Sequence, residues 1–166
     1  AKNQGVAAEK FNALEAQLAS INKQETVGSL SPSQEQLSGL LAHYQNGRLS
    51  DAEQLALSIT QEYPEHQFAW KVLGAVLGAT GRKHEAVDAN QTAVTLSPND
   101  AEAHNNLGVT FQELRRLDEA AVSYNQAISL RPDFAEAHYN LGNTLHELGR
   151  LNEAEASYKK AITLNP

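Results

Sequence analysis

The sequence predicts an all-α protein in which similar helix pairs stack one on the next as a solenoid. From residue 33 to residue 166 the sequence repeats itself with a period of about 34 residues, which is typical of such arrays. Within each repeat the apolar residues recur at the spacing of an α-helix. No stretch alternates between apolar and polar residues as a half-buried strand does, so helices are the only predicted elements.

The composition narrows the classes of function. The chain has 13 Lys and Arg against 20 Asp and Glu, a net charge of −7, whereas a protein that binds DNA or RNA usually carries a basic surface. It has no Cys, which excludes disulfides and thiolate metal sites, and no Met, so we expect it to be part of a longer protein. No apolar run is long enough to cross a membrane. We therefore expect a soluble, cytoplasmic protein that binds neither nucleic acid nor membrane.

The first element, in residues 1–32, is a predicted amphipathic helix followed by a linker. Its apolar residues form one narrow seam, namely Ala7, Phe11, Leu14, Leu18 and Ile21. Because a lone helix of about 20 residues is marginally stable in water, this helix needs a partner. It could cap the first repeat, associate with a second copy, or enter a groove in its own chain or a neighbouring one.

The linker spans residues 26–31 and leads into the first repeat. Ser31 is predicted to cap the next helix, with Pro32 at its first position and Gln34 completing a capping box.

The four repeats cover residues 33–66, 67–100, 101–134 and 135–166. Two columns are invariant: alanine at Ala52, Ala86, Ala120 and Ala154, and proline at Pro64, Pro98, Pro132 and Pro166. Proline cannot continue a helix interior, so the second helix of each repeat must end before it. A glycine separates the two helices in three repeats, at Gly47, Gly81 and Gly149, and Arg115 takes its place in the third.

These residues resemble the tetratricopeptide repeat (TPR) family, whose pattern runs Trp, Leu-Gly, aromatic, Ala, aromatic and Pro. The second repeat carries much of it, at Trp70, Leu73-Gly74, Ala86, Ala93 and Pro98. The resemblance implies a right-handed solenoid of four helix-turn-helix repeats. Departures from the pattern are Gly39-Leu40 in the first repeat, where Leu-Gly is expected, and Asn90 in an aromatic column of the second.

No catalytic motif is present in the sequence. It lacks a phosphate-binding glycine loop, a His-Glu-x-x-His pair and a Gly-x-Ser-x-Gly elbow. His104 and His138 occupy the column where the family has Trp, so we expect them to pack between helices instead of holding a metal. We therefore predict no enzyme activity in this chain, no metal site and no cofactor.

The candidate binding residues lie on the first helices, which in the family line a concave groove. Asn106 and Asn140 lie 34 residues apart, and a carboxamide can bond both the N–H and the C=O of a peptide backbone. This pair resembles the asparagine ladder in the TPR arm of O-linked N-acetylglucosamine transferases and their bacterial relatives. The predicted groove residues are Lys71, Glu102, Asn105, Asn106, Val109, Gln112, Glu113, Glu136, Tyr139, Asn140, Asn143 and Glu147.

Another mode of the family, the clamp that holds chaperone C-terminal carboxylates, fits poorly. Lys71 and Asn106 match two of its positions, but Ala75, Glu136 and Asn140 replace the others. Because Glu136 would face the carboxylates of the ligand, the sequence disfavours this mode.

The sequence therefore predicts a scaffold for protein–protein interaction, with a basic or neutral extended peptide or a partner helix in the groove. One alternative is the substrate-recruiting arm of a larger glycosyltransferase-like enzyme, whose catalytic domain would lie beyond residue 166. Another is a module that assembles with itself, through the N-terminal helix or through Tyr158, Ile162 and Leu164, which no following repeat covers.

Overall fold

Eight α-helices form the part of the chain that the computed structural model describes, residues 31–165. No strand occurs in that range. The helices are α1 Gln34–Gln45, α2 Leu49–Glu62, α3 Gln67–Ala79, α4 Lys83–Leu96, α5 Ala101–Glu113, α6 Leu117–Leu130, α7 Ala135–Glu147 and α8 Leu151–Leu164. Two fall in each repeat, which confirms the all-α array. The predicted N-terminal helix lies outside the described residues.

The first and second helix of each repeat pack closely against each other, and each second helix also packs on the first helix of the next repeat. Consecutive first helices touch along one side, so α1, α3, α5 and α7 form one face of the array. The alanine column lies at the pair contacts: Ala52, Ala86 and Ala120 are fully buried and Ala154 nearly so. Every helix of the described range is too short or too polar to span a bilayer.

The start of α1 differs from the prediction. Its N-cap is Ser33, not Ser31, and a capping box joins Ser33 to Gln36. The Gln36 backbone amide donates to Ser33 Oγ at 3.2 Å, and the Ser33 amide donates to Gln36 Oε1 at 2.8 Å. Two overlapping Ser-x-x-Gln patterns allow either cap, and Pro32 stays outside the helix with its side chain fully buried.

A recurring hydrogen bond holds each first helix to the end of the preceding repeat. Trp70 Nε1 donates to the Pro64 carbonyl at 2.8 Å. The two histidines of the same column make the equivalent hydrogen bond. Because a carbonyl oxygen only accepts, Nε2 of His104 donates to the Pro98 carbonyl and Nε2 of His138 donates to the Pro132 carbonyl. Both rings are half-buried, so these histidines have a structural role in the joint between repeats.

The turn between the two helices of a repeat requires a left-handed residue. Gly47, Gly81 and Gly149 have φ of 70°, 81° and 75°, and Arg115 has φ of 62° in the third repeat. A side chain disfavours this conformation by about 1–2 kcal/mol. The Arg115 guanidinium also pairs with Glu147, but it is largely exposed, and such a pair contributes little.

We therefore predict that Arg115→Gly raises the free energy of unfolding by about 1 kcal/mol relative to Arg115→Ala. Both variants lose the ion pair with Glu147, so the difference between them isolates the backbone conformation. Urea denaturation followed by circular dichroism measures it. Equal midpoints for the two variants would show that the turn is not strained.

Candidate functional site

A groove of about 1270 Å³ runs along the face formed by the first helices. Its lining comes mainly from α3, from α5 and from the segments that lead into α5 and α7, and Tyr44 of α1 and Leu164 of α8 also contribute. Seven of the predicted residues line it, namely Lys71, Glu102, Asn105, Asn106, Val109, Glu113 and Glu136. The other five, Gln112, Tyr139, Asn140, Asn143 and Glu147, are not part of this lining.

An ion network crosses the floor of the groove. The Lys71 side chain is 1% exposed, and its Nζ lies 3.0 Å from Asp100 Oδ2 and 3.2 Å from Glu102 Oε2. Arg131 Nη1 lies 3.2 Å from the other oxygen of Glu102. The Lys71 charge is thus balanced by carboxylates inside the protein.

Asp100 connects this network to the helix backbone. It is the N-cap of α5, where its Oδ1 accepts from the backbone amides of Glu102 and Ala103. Its Oδ2 also accepts from Gln67 Nε2 at 2.6 Å, so one carboxylate joins two repeats. Sequence reasoning missed Asp100, although an Asp directly before a predicted helix is the usual signal of an N-cap.

The two ladder asparagines have different surroundings. Asn140 Nδ2 donates to Asn105 Oδ1 at 3.2 Å, and Asn105 in turn donates to Glu136 Oε1 at 3.2 Å. Asn105 is only 1% exposed, so it forms part of the packed floor. The half-buried Asn106 side chain lines the groove without a hydrogen bond to any described residue.

The other predicted residues form hydrogen bonds with tyrosine side chains or with one another. Tyr124 donates to Gln112 Oε1 at 3.0 Å, and Gln112 Nε2 donates to Glu147 at 3.2 Å. Burial, together with the nearby Glu136 and Glu113 carboxylates, raises the pKa of Tyr124 well above its usual value, so its hydroxyl stays protonated.

The same pattern recurs in the last repeat. Tyr158 donates to Asn143 Oδ1 at 2.9 Å, and its ring lies 5.9 Å from that of Tyr139. Tyr139 is 55% exposed. These residues lie at the last described repeat, outside the lining of the groove.

The charge of the groove is acidic. Two cations, Lys71 and Arg131, line it against five carboxylates, which belong to Asp100, Glu102, Glu113, Asp133 and Glu136. Both cations are paired with carboxylates of the groove. Within residues 31–165 no three His, Asp or Glu side chains come together as a metal site would require.

Comparison with models of protein families shows which family the repeats belong to. Models described as tetratricopeptide or TPR repeats match residues 40–101, 89–121, 113–149 and 135–166. The chain belongs to the tetratricopeptide repeat family. A search of curated proteins finds no match.

Solved structures with the same fold include other TPR proteins. A crystal structure of MamA is 22% identical with a TM-score of 0.75, and the match covers 98% of this chain and 91% of that one. A fragment of MamA from Desulfovibrio magneticus RS-1 is 19% identical with a TM-score of 0.74, covering 97% and 92%. The second TPR of Spaghetti (RPAP3), bound to the HSP90 peptide SRMEEVD, is 21% identical with a TM-score of 0.59, covering 61% and 95%. At these identities the likeness establishes the fold.

We predict that Lys71→Met lowers the free energy of unfolding by about 3 kcal/mol, because it leaves the Asp100 and Glu102 carboxylates close together without their shared cation. Lys83→Met is the matched control, since Lys83 is partly exposed and lies 3.9 Å from Glu113. We expect it to change stability by less than about 0.5 kcal/mol. Thermal melting of both variants gives the comparison, and similar losses would contradict a buried network.

Proposed function

We propose that this chain is a protein-binding scaffold that takes an extended peptide in its groove. The observation that supports this best is a groove whose polar floor is already ordered by hydrogen bonds between repeats. Asn140 bonds Asn105, Asn105 bonds Glu136, and Lys71 bonds Asp100 and Glu102. A preformed surface loses little freedom on binding, so more of the contact energy appears as affinity. The RPAP3 domain bound to an HSP90 peptide is a precedent for peptide binding by this fold.

The charge of the groove supports a basic or neutral peptide. An acidic peptide such as the one in the RPAP3 structure would meet five carboxylates and no unpaired cation in the lining. Glu113 and Asp133 are exposed, so they offer carboxylates to a basic side chain at small desolvation cost. A clamp for acidic C-termini would need the Lys71 charge, which two carboxylates already balance.

In this proposal the chain performs no catalysis, needs no cofactor or metal, and works in the cytoplasm without nucleic acid or membrane as a partner. If a glycosyltransferase domain follows residue 166 in the full gene, the same groove would serve as its substrate-recruiting arm. Asn106, whose amide lines the groove without a hydrogen bond to a described residue, supports peptide capture in either setting.

We predict that Asn106→Ala lowers the affinity for a bound peptide about tenfold, because one hydrogen bond to the peptide backbone is lost. The probe is a peptide selected on the full chain from a displayed random library, and fluorescence polarisation measures its binding. Combining Asn106→Ala with Asn140→Ala should weaken binding further. The double variant should also be less stable, since Asn140 holds Asn105.

The control is Asn125→Ala, whose exposed side chain bonds the Ala121 carbonyl outside the groove. It should bind as the parent does. Selected peptides should be enriched in Lys and Arg. Unchanged affinity of the double variant would contradict the asparagine contacts, and a library that yields no peptide would contradict the scaffold.

A second candidate function is self-association through the face of the last repeat. Ile162 is 65% exposed, whereas Ile128, its equivalent one repeat earlier, is half-buried against the core. Tyr139 is 55% exposed, whereas the equivalent Asn105 is 1% exposed. The face at α7 and α8 thus displays apolar groups at positions that a following repeat covers elsewhere in the array.

If this face mediates assembly, the mass measured by light scattering should rise with concentration, and Ile162→Lys should restore a monomer because a charge cannot be buried without a partner. Val122→Lys is the control, since Val122 is 70% exposed on another helix. A parent chain that is monomeric at every concentration would remove this candidate.

A further inference from the structure

The turn between α1 and α2 contains the only Asn-Gly pair of the sequence, Asn46-Gly47. Both residues are exposed, so water reaches them. Asparagine is among the chemically labile residues, because the backbone nitrogen of the next residue can attack its side-chain carbonyl carbon. Glycine has no β-carbon to hinder that attack. The other repeats have no side-chain amide at this place, where they carry Thr80-Gly81, Leu114-Arg115 and Leu148-Gly149.

The folded turn holds the two reacting atoms apart. Asn46 is the C-cap of α1, and its ψ of 7° turns the Gly47 nitrogen away from the Asn46 side chain. The amide is directed back along the helix, because Asn46 Nδ2 donates to the Ala42 carbonyl at 2.7 Å. The Gly47 N–H donates to the Tyr44 carbonyl at 3.1 Å, which retains the proton that this nitrogen must lose before it attacks. The reaction therefore requires the turn to open.

The turn of the first repeat is fastened less than the turns that follow it. In the later repeats the arginine after the turn pairs with a glutamate three residues on, as Arg82 with Glu85, Arg116 with Glu119 and Arg150 with Glu153. The equivalent Arg48 forms no ion pair with a described residue, and residues 45–48 are all exposed. Exposed helix ends open locally at a small fraction of the free energy of global unfolding. Opening of this turn is thus accessible in the folded chain.

We propose that Asn46 is a deamidation site and that opening of the turn after α1 sets the rate of the reaction. A solvent base removes the Gly47 amide proton, and the nitrogen lone pair forms a bond to Asn46 Cγ. The Cγ–Nδ2 bond breaks, and the departing nitrogen takes up a proton and leaves as ammonia. The product is a five-membered succinimide ring.

Water then opens the ring at either of its two carbonyls. If the bond between the Gly47 nitrogen and Cγ breaks, residue 46 becomes aspartate. If the bond between that nitrogen and the backbone carbonyl carbon breaks, residue 46 becomes isoaspartate, and the main chain runs through Cγ. In sum, one water is consumed and one ammonia is released for each amide lost.

Both products weaken the end of α1. Aspartate places a negative charge at the C-terminus of a helix, where the dipole disfavours it, and its carboxylate cannot donate to the Ala42 carbonyl. Isoaspartate adds one carbon to the main chain and so displaces the groups that close the turn. Tyr44, whose carbonyl accepts from Gly47, lines the groove, so the modification acts on the first repeat beside the binding surface.

The test follows the full chain by mass spectrometry at mildly alkaline pH. Trypsin releases residues 24–48 as one peptide in which Asn46 is the only asparagine, so a gain of mass there reports its conversion to an acid. A synthetic peptide of residues 42–51 gives the rate without the folded turn. The folded chain should react about tenfold more slowly, because only the open turn reacts. In guanidinium chloride the chain should react as fast as the peptide.

Two variants at position 46 are the matched controls. Asn46→Thr copies Thr80, whose hydroxyl donates to the Val76 carbonyl four residues back, as Asn46 does to Ala42. It should keep the melting temperature of the parent and show no gain of mass. Asn46→Asp is one of the two products, and it should melt about 2 °C below Asn46→Thr.

The products and the rates decide the proposal. Aspartate and isoaspartate, separated by chromatography against synthetic standards, should both form. Aspartate alone would show that the Gly47 nitrogen takes no part, and equal rates in the folded chain and the peptide would show that the turn does not control the reaction. If the chain gains no mass long after the peptide has reacted, or gains it equally in Asn46→Thr, Asn46 is not a deamidation site.

Discussion

The array depends on a contact between paired helices that leaves no room for a large side chain from both sides. Ala86 and Ala120 are completely buried there, and in the third and fourth repeats Gly108 and Gly142 face an aromatic ring at a distance that excludes a β-carbon. Protein interiors are close-packed, so such a contact fixes the distance and angle of each pair. Because each repeat has a close contact at this place, the first helices come to lie side by side, and the groove is the surface that they share.

The pair contact also explains how one repeat can differ from its neighbours without loss of the fold. The first repeat places Leu40 against Ala56, and the third places Gly108 against Tyr124, so a large residue on either helix serves equally well. The second repeat has the small partner on one helix and only an amide on the other. The fold survives because the flanking repeats still bury Phe68, Val72 and Val76. The cost of the missing ring is local, because the Asn90 amide packs against Gly74 in its place.

The sequence predicted the elements that arise from local chemistry, because proline, glycine and apolar spacing act over a few residues. The all-α array and the turn position of Arg115 follow from such patterns, whereas the seven groove-lining residues came from the resemblance to a family whose first helices line a groove. The pairing of Lys71 with Asp100 and of Asn140 with Asn105 did not follow, since these partners lie 29 and 35 residues apart. Which of two neighbouring carboxamides faces the groove depends on side-chain rotamers and on the crossing angle of the helices. A repeat pattern predicts which column carries an amide side chain, but it does not predict the direction in which that amide points.

The same cross-repeat bonds decide what the groove can recognise. Lys71 and Arg131 neutralise carboxylates of the floor, so the protein's own cations are occupied and the exposed carboxylates of Glu113 and Asp133 set the character of the surface. In a floor where Asn105, Asn140 and Lys71 all have partners, Asn90 stands out as a buried amide with one half unbonded. Its repeat also lacks the ring that the third and fourth supply, and the Asn90 amide packs against Gly74 in place of that ring.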